Sequence, residues 1–429
     1  MNRIRSWIRG ISGGAAPTAV LLALFTGACR GQERGTGDLR ALADELLPRL
    51  EVLSGLEARA PIRLETQSRE AMREYVVRRL AEDMPPEELA GIQASYTAFG
   101  LIPDTLDLQA LLLDLYTEQV VGYYDPETET LYVVEGTGLA EVRPVLAHEL
   151  VHALQDQHME LDSLTSPERG NDRRTAAQAA IEGHATLVMF LLMLEEQAGG
   201  PVEVNRLPDM GAQLRPLLSA QNEQFPVFRS APRVIRETLL FPYVGGAIFV
   251  QQLWRVAAPA GAGVGAPLPA PIDTLLPVST EQVLRPMDRF FATRDEPTEI
   301  VLEEDAGAGR VLHENTLGQL ETTILLGEHL GSEAEALATG WDGDRYRLVE
   351  VEGGRAIVWY TVWDSREAAE GFAAAYRRIL DTRPGRHGRV DRMTIEGRPV
   401  VRVIDAERGV ALEAVPVPGV VSLKEGDAA

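Results

Sequence analysis

A single cysteine, a single lysine and few aromatic residues set the first limits on this chain of 429 residues. Cys29 stands alone, so no disulfide can form within the chain. Lys424 is the one lysine, and arginine supplies the rest of the basic charge. Acidic residues outnumber basic ones, 64 to 41, for a formal net charge of −23. That balance argues against nucleic acid as a partner, because phosphates reward clustered Lys and Arg. After residue 30 no eighteen consecutive apolar residues occur, so no membrane-spanning helix is expected past the leader. The remaining composition, 45% hydrophobic and 24% charged, is that of a globular protein long enough for two or three domains.

The first thirty residues do not read as part of the fold. Arg3, Arg5 and Arg9 make a positive leader, and Ala15 to Phe25 is an apolar run too short to span a bilayer. Thr26, Gly27 and Ala28 are small and lead directly to Cys29. This order resembles a bacterial lipoprotein signal, in which the cysteine becomes the lipidated first residue of the mature chain. Thr26 stands where Leu or Val is usual. The resemblance implies cleavage after residue 28, export, and a membrane anchor on Cys29 that holds an otherwise acidic, soluble protein at the lipid surface.

Residues 38–115 read as helical, with apolar residues three and four apart in stretches such as Leu39 to Leu53 and Glu70 to Leu80. A hairpin signal follows in Gln119-Val-Val-Gly-Tyr-Tyr-Asp, the turn Pro126-Glu-Thr-Glu, and Thr130-Leu-Tyr-Val-Val-Glu. Helices are expected over Glu141 to His158, Asp172 to Gln197 and Val234 to Val256. The stretch Ala257 to Pro277, dense in Ala, Gly and Pro, reads as a mobile loop. From about residue 308 the pattern changes to helix at 314–340, strands at 346–351 and 356–363, a helix at 366–380, and strands near 389–395 and 399–404.

The chemistry is concentrated in His148-Glu149-Leu150-Val151-His152. On a helix, residues four apart share a face, so both imidazoles can reach one ion. Glu149 lies at the edge of that face, where it can take a proton from a metal-activated water. A third ligand is needed, and two candidates compete. His158 follows His148 by ten residues, the spacing of the third His in metzincins. That geometry requires a helix break, normally at a Gly, where this chain has Gln155, a good helix former. On a continuing helix His158 falls about 240° around and about 9 Å along from His152, out of reach. Glu182, in Ala179-Ala-Ile-Glu-Gly-His-Ala185, is the better candidate. Ala179, Gly183 and Ala185 would let its helix approach the His148–His152 helix closely. Tyr243, in Phe241-Pro-Tyr-Val-Gly-Gly246, and His184 are candidates for the group that steadies a developing oxyanion. Asp156, one turn past His152, either orients a ligand or faces solvent.

His148-Glu-x-x-His152 followed by Glu182 on a later helix resembles the gluzincin pattern, the zincin group that includes thermolysin. More closely, His148 to His158, Ile181-Glu-Gly-His-Ala-Thr186, Pro277-Val-Ser-Thr-Glu-Gln-Val283 and Gly340-Trp-Asp-Gly-Asp-Arg345 resemble an uncharacterised family of bacterial and haloarchaeal surface proteins. The resemblance covers roughly residues 70–375. It implies zinc ligands at His148, His152 and Glu182 and a catalytic base at Glu149. Two positions depart from the patterns. Thr186 stands where thermolysin-like enzymes place an Asp that orients a ligand His, and His184 stands where the closer family is expected to carry Asp. Zincins also carry an edge strand before the active-site helix that binds extended peptide by strand addition. The 119–135 hairpin fits that place, with Tyr123, Tyr124 and Tyr132 either lining the groove or packing.

The expected architecture is α+β. A leader spans residues 1–28. A helix-rich, zincin-like metallopeptidase domain with a small hairpin or sheet spans 29–307, and a smaller α+β domain without a catalytic motif spans 308–429. The expected partners are Zn2+, a peptide or protein substrate, and a membrane through the lipid. Three functional readings stand: a zinc endopeptidase or aminopeptidase; a lipoprotein that keeps zinc for stability or partner binding; and a metal-free surface binding protein.

Overall fold

The computed structural model describes residues 36–424 except 167–168, 205–206, 223, 258–267 and 305–308. The leader, Cys29 and part of the Ala257–Pro277 stretch lie outside the described residues. The chain is α+β, helical in its first two thirds and rich in sheet after residue 299.

The first part runs α1 (Thr36–Ser54), β1 (Arg63–Gln67), α2 (Arg69–Asp83), α3 (Pro86–Phe99), α4 (Leu108–Gln119), β2 (Gly122–Asp125) and β3 (Thr130–Val134). It continues through α5 (Leu139–Asp156), α6 (Leu161–Leu164), α7 (Asn171–Ala198), α8 (Met210–Asn222), α9 (Pro226–Ser230), α10 (Arg233–Ala257) and α11 (Thr280–Leu284). Local chemistry sets several starts. Ser68, Asp107 and Ser279 each accept a backbone N–H from the first turn of α2, α4 and α11. Pro86 opens α3, and Gly100 closes it in the left-handed region.

The second part comprises β4 (Glu299–Leu302), β5 (Arg310–Asn315), α12 (Gly318–Leu330), α13 (Ala334–Ala338), β6 (Trp341–Val351), β7 (Gly354–Trp363), α14 (Arg366–Thr382), β8 (Arg386–Ile395), β9 (Arg398–Glu407) and β10 (Val420–Lys424). Strands β5-β6-β7-β9-β8 form an antiparallel sheet, and β4 pairs with β10. The expected hairpin is present, with Tyr123 opposite Tyr132, but it is part of a three-stranded sheet in the order β1-β3-β2. Strand β1, in a stretch expected to be helical, runs parallel to β3 with Arg63 opposite Thr130. That pairing partner lies far along the chain and leaves no local trace in the sequence.

One hydrophobic core crosses residue 308. Phe99 at the end of α3 meets the rings of Tyr346 and Trp359 edge-on at 5.2 and 5.4 Å, and Trp359, Trp363, Phe372 and Tyr376 continue the cluster under α14. The opposite face of the five-stranded sheet is covered by the β4–β10 ribbon through Ile300, Leu302, Val358, Tyr360 and Ile404. Buried polar contacts reinforce the junction. His313 on β5 meets the hydroxyls of Ser95 and Tyr346 through Nδ1 and Glu88 through Nε2.

The two sequence motifs outside the metal region do this joining work. The Asp344 carboxylate accepts the N–H groups of Leu317 and Gly318 and the indole N–H groups of Trp341 and Trp359. The backbone N–H and the hydroxyl of Thr280 both donate to Asp172 in the first turn of α7, and the Thr280 hydroxyl accepts from the N–H of Leu320.

Helix α7 lies at the centre. It is long and apolar enough to cross a membrane, yet 78% of its most apolar stretch is buried within the fold. It packs on α1, α5 and α10, and its closest crossing is with α10. A Cβ on Gly183 would lie 2.0 Å from the backbone carbon of Gly246, and one on Gly246 would lie 1.8 Å from the carbonyl oxygen of Ala179. This corrects the expectation that Gly183 brings α7 against the His148–His152 helix. Gly183 follows Glu182 by one residue, about 100° around the helix, and so faces α10 while Glu182 faces α5.

Candidate metal centre

His148 and His152 project from one face of α5, one turn apart, with their rings 4.6 Å apart and crossed at 78°. Their Nε2 atoms are 2.9 Å from each other. From α7, Glu182 Oε2 comes within 3.1 Å of His148 Nε2 and 3.3 Å of His152 Nε2. None of the three is more than 1% exposed. Nitrogen and oxygen ligands about 2.0–2.1 Å from a tetrahedral ion stand about 3.3 Å from each other, so this spacing suits a shared cation. One ligand atom from each residue lies within 4.8 Å of the others, and the group can hold a metal ion.

Burial opposes charge on all three groups. The attraction between Glu182 and His152 outweighs it, holding the carboxyl low and that imidazole high, whereas burial pulls His148 down. The second carboxylate oxygen of Glu182 and Nδ1 of His148 have no hydrogen-bond partner among the described residues. Thr186, where thermolysin-like enzymes carry Asp, is fully buried, and its hydroxyl likewise meets none.

Glu149 sits beside this group and is fully buried. Its Oε2 accepts the backbone N–H of Tyr124 at 2.8 Å, and its Oε1 has no partner. Burial pushes its pKa up to about 8. Tyr124 belongs to β2, the outer strand of the small sheet, which pairs with β3 on one side only and is buried along its length, and the carboxylate takes the Tyr124 N–H on its other side. Tyr243 lies in the interior of α10, its ring 6.3 Å from that of His148. Burial raises its hydroxyl pKa well above the usual value, and Glu182 and Glu149 add to the shift.

Other candidates are placed elsewhere. Helix α5 ends at Asp156, and the His158 ring nitrogen contacts the carbonyl of Glu57 at 2.8 Å, away from the metal group. Asp156 accepts the Tyr124 hydroxyl and the N–H of Leu161, so it orients no ligand. His184 is not directed at an oxyanion position. Its Nδ1 meets Gln155 at 3.0 Å and its Nε2 meets the carbonyl of Ser54 at 3.1 Å. The hairpin tyrosines pack: Tyr123 stacks on Tyr75 at 4.0 Å and on Tyr132 at 5.2 Å, and its hydroxyl accepts from Gln67.

Sequence reasoning missed Gln155, which it used only as a helix former. Gln155 Oε1 lies 2.8 Å from Nδ1 of His152. The available signal was its spacing, three residues after a ligand and so on the ligand's face.

A family described as a domain of unknown function, DUF8575, matches residues 309–423. That segment contains none of the metal-site residues. No curated protein and no solved structure matches the chain.

Proposed function

We propose that this chain is a zinc-dependent peptidase in which His148, His152 and Glu182 hold the ion and Glu149 is the general base. The observation that carries the reading is a three-residue ligand group with Glu149 beside it, one carboxylate oxygen still without a protein partner. A structural zinc site fills four positions with protein, whereas a catalytic one keeps a position for water. Among the described residues, Glu149 is not drawn into the ligand group. Zinc, when bound, supplies a Lewis acid and brings the pKa of water to about 7.

Glu149 Oε1 takes the proton of the attacking water and delivers it to the leaving amine, while the Tyr124 N–H keeps the carboxylate oriented through Oε2. Tyr243 is the candidate donor to the carbonyl oxygen as that oxygen gains charge. Once the buried site opens, the outer edge of β2, apart from the Tyr124 N–H that holds Glu149, is the candidate strand for pairing with an extended peptide backbone. The leader's resemblance to a lipoprotein signal adds export and a lipid on Cys29.

The test is metal content together with turnover. Protein purified without chelator is expected to carry about one zinc per chain and to cleave members of a mixed-peptide library. Glu149→Gln is expected to keep fold and zinc and to lose about 10²–10⁴-fold in rate. A chain that neither contains zinc nor can be loaded with it ends this reading. For the anchor, wild type is expected to enter the detergent phase on partitioning, and Cys29→Ser to stay in the aqueous phase. Equal partitioning of the two removes the lipid.

A second reading is favoured by burial. With the ligands at most 1% exposed, a substrate reaches them only after the site opens. A zinc held for stability needs no such opening, and zinc without any hydrolysis by wild type would favour that role.

A further inference from the structure

Behind His152 runs a chain of hydrogen bonds whose direction is fixed at its far end. Ser54 at the end of α1 presents a carbonyl oxygen 3.1 Å from His184 Nε2, and a carbonyl can only accept. His184 therefore carries its proton on Nε2 and offers a lone pair at Nδ1. Gln155 Nε2 lies 3.0 Å from that lone pair and 3.0 Å from the carbonyl of Ile181, and its two N–H groups serve these two acceptors. Turning the amide over would set its oxygen against the Ile181 carbonyl, so its orientation is determined. Gln155 Oε1 then faces His152 Nδ1 at 2.8 Å and accepts its N–H. His152 is left with Nε2 as its ligand atom, aimed at His148 and Glu182. Ser54, Gln155, His152 and His184 are all at most 1% exposed, so water does not compete for any of these bonds.

From this geometry we infer that Gln155 and His184 are positioning residues for the metal, locking His152 in the tautomer that binds through Nε2. The inference rests on the proposed metal site. The relay spans three helices, because Ser54 ends α1, Gln155 and His152 lie on α5, and Ile181 and His184 lie on α7. Ile181 is the residue before Glu182, so the same amide also fixes the backbone that carries the carboxylate ligand. His148 has no such support, since its Nδ1 meets no partner among the described residues. His152 is thus the ligand whose orientation is set in advance. The residue resembling a departure from the family pattern, His184, fills the place behind Gln155 that an acceptor must occupy.

The test uses the purified full chain, with zinc affinity measured by competition against a chromophoric chelator. Gln155→Met keeps length and bulk but cannot hydrogen-bond. It is expected to bind zinc about 10–100-fold more weakly and to change the visible spectrum of the cobalt-loaded protein. Gln155→Glu keeps an acceptor for the His152 N–H but sets its second oxygen against the Ile181 carbonyl and the His184 lone pair, so it is expected to recover only part of the affinity that Gln155→Met loses. Nitrogen NMR of zinc-loaded wild type needs no variant. It is expected to find the proton on Nδ1 in His152 and on Nε2 in His184. Zinc bound equally tightly by wild type and Gln155→Met, with identical cobalt spectra, overturns the relay and leaves the metal site standing. His184 protonated on Nδ1 does the same. A wild-type chain that takes up no zinc overturns the metal site, and the relay falls with it.

Discussion

Replacing Glu182 removes a carboxylate that faces two imidazole nitrogens, at 3.1 and 3.3 Å. Glu182→Ala is expected to weaken zinc binding by more than the roughly 10–100-fold typical of a residue behind a ligand. His158→Ala, whose side chain contacts the carbonyl of Glu57, is expected to change it less than about twofold. Competition titrations of the two variants read this difference directly, and an unaltered affinity in Glu182→Ala would strike it from the ligand set. At this scale the sequence was legible where chemistry imposes a spacing. Two imidazoles on one helix that share an ion lie one turn apart, and a Glu among Ala and Ile on an apolar helix demands a partner. The spacing places Gln155 on the ligand's face, but the bonds that fix Gln155 and His184 were not legible. Each depends on a backbone carbonyl supplied by another helix, and no spacing within α5 or α7 encodes Ser54.

The elements that carry the site meet by close backbone contact. Ala at position 183 would put a methyl 2.0 Å from the Gly246 backbone, where no side chain can rotate away. Gly183→Ala is therefore expected to cost about 1–3 kcal/mol or more, despite the better helix propensity of Ala. Thermal unfolding should show a clear fall in Tm, and zinc affinity should fall with it, because Glu182 is the preceding residue. A Tm equal to wild type would mean that the two helices do not meet at Gly183. Long periodic segments such as α5, α7, α10 and α14 were visible in the sequence, as was the β2–β3 hairpin. Strands β1, β4, β5 and β10 were not, because each is short and pairs with a partner that local pattern does not reveal. Gly183 was noticed, but its facing helix was misassigned for the same reason.

At the level of the whole molecule, the two parts are joined through buried acids. Asp172 receives Thr280 at the start of α7, and burial lifts its pKa from 3.8 to about 7, with Asp344 adding and the Thr280 hydrogen bonds opposing. Its folded pKa is raised, so the folded state keeps a proton that the unfolded state releases. Its contribution is whole below about pH 4 and is lost as pH rises through about 7. Asp172→Asn can accept from Thr280 but cannot ionise. The stability difference between Asp172→Asn and wild type should move in favour of the variant as pH rises from about 4 to about 7. Chemical denaturation at several pH values measures it, and a difference independent of pH would exclude Asp172 as the source. The joint itself could not be foreseen, because the change of pattern near residue 308 marks a change in local structure while the core passes straight through it.

Helix α7 has the length and greasiness of a segment that a bilayer would accept, and a secreted chain of the kind proposed must thread it through a translocation channel. Glu182 and His184 stand at its midpoint, where an ionised side chain costs about 3 kcal/mol to leave among lipid tails. In a chain exported in that way, the carboxylate proposed to hold the ion would also oppose lateral escape of the helix into the membrane. The Glu182→Ala chain gives that passage a measurable form. More of it than of wild type should remain embedded and resist alkaline extraction, in cells where the lipid anchor has been removed from both.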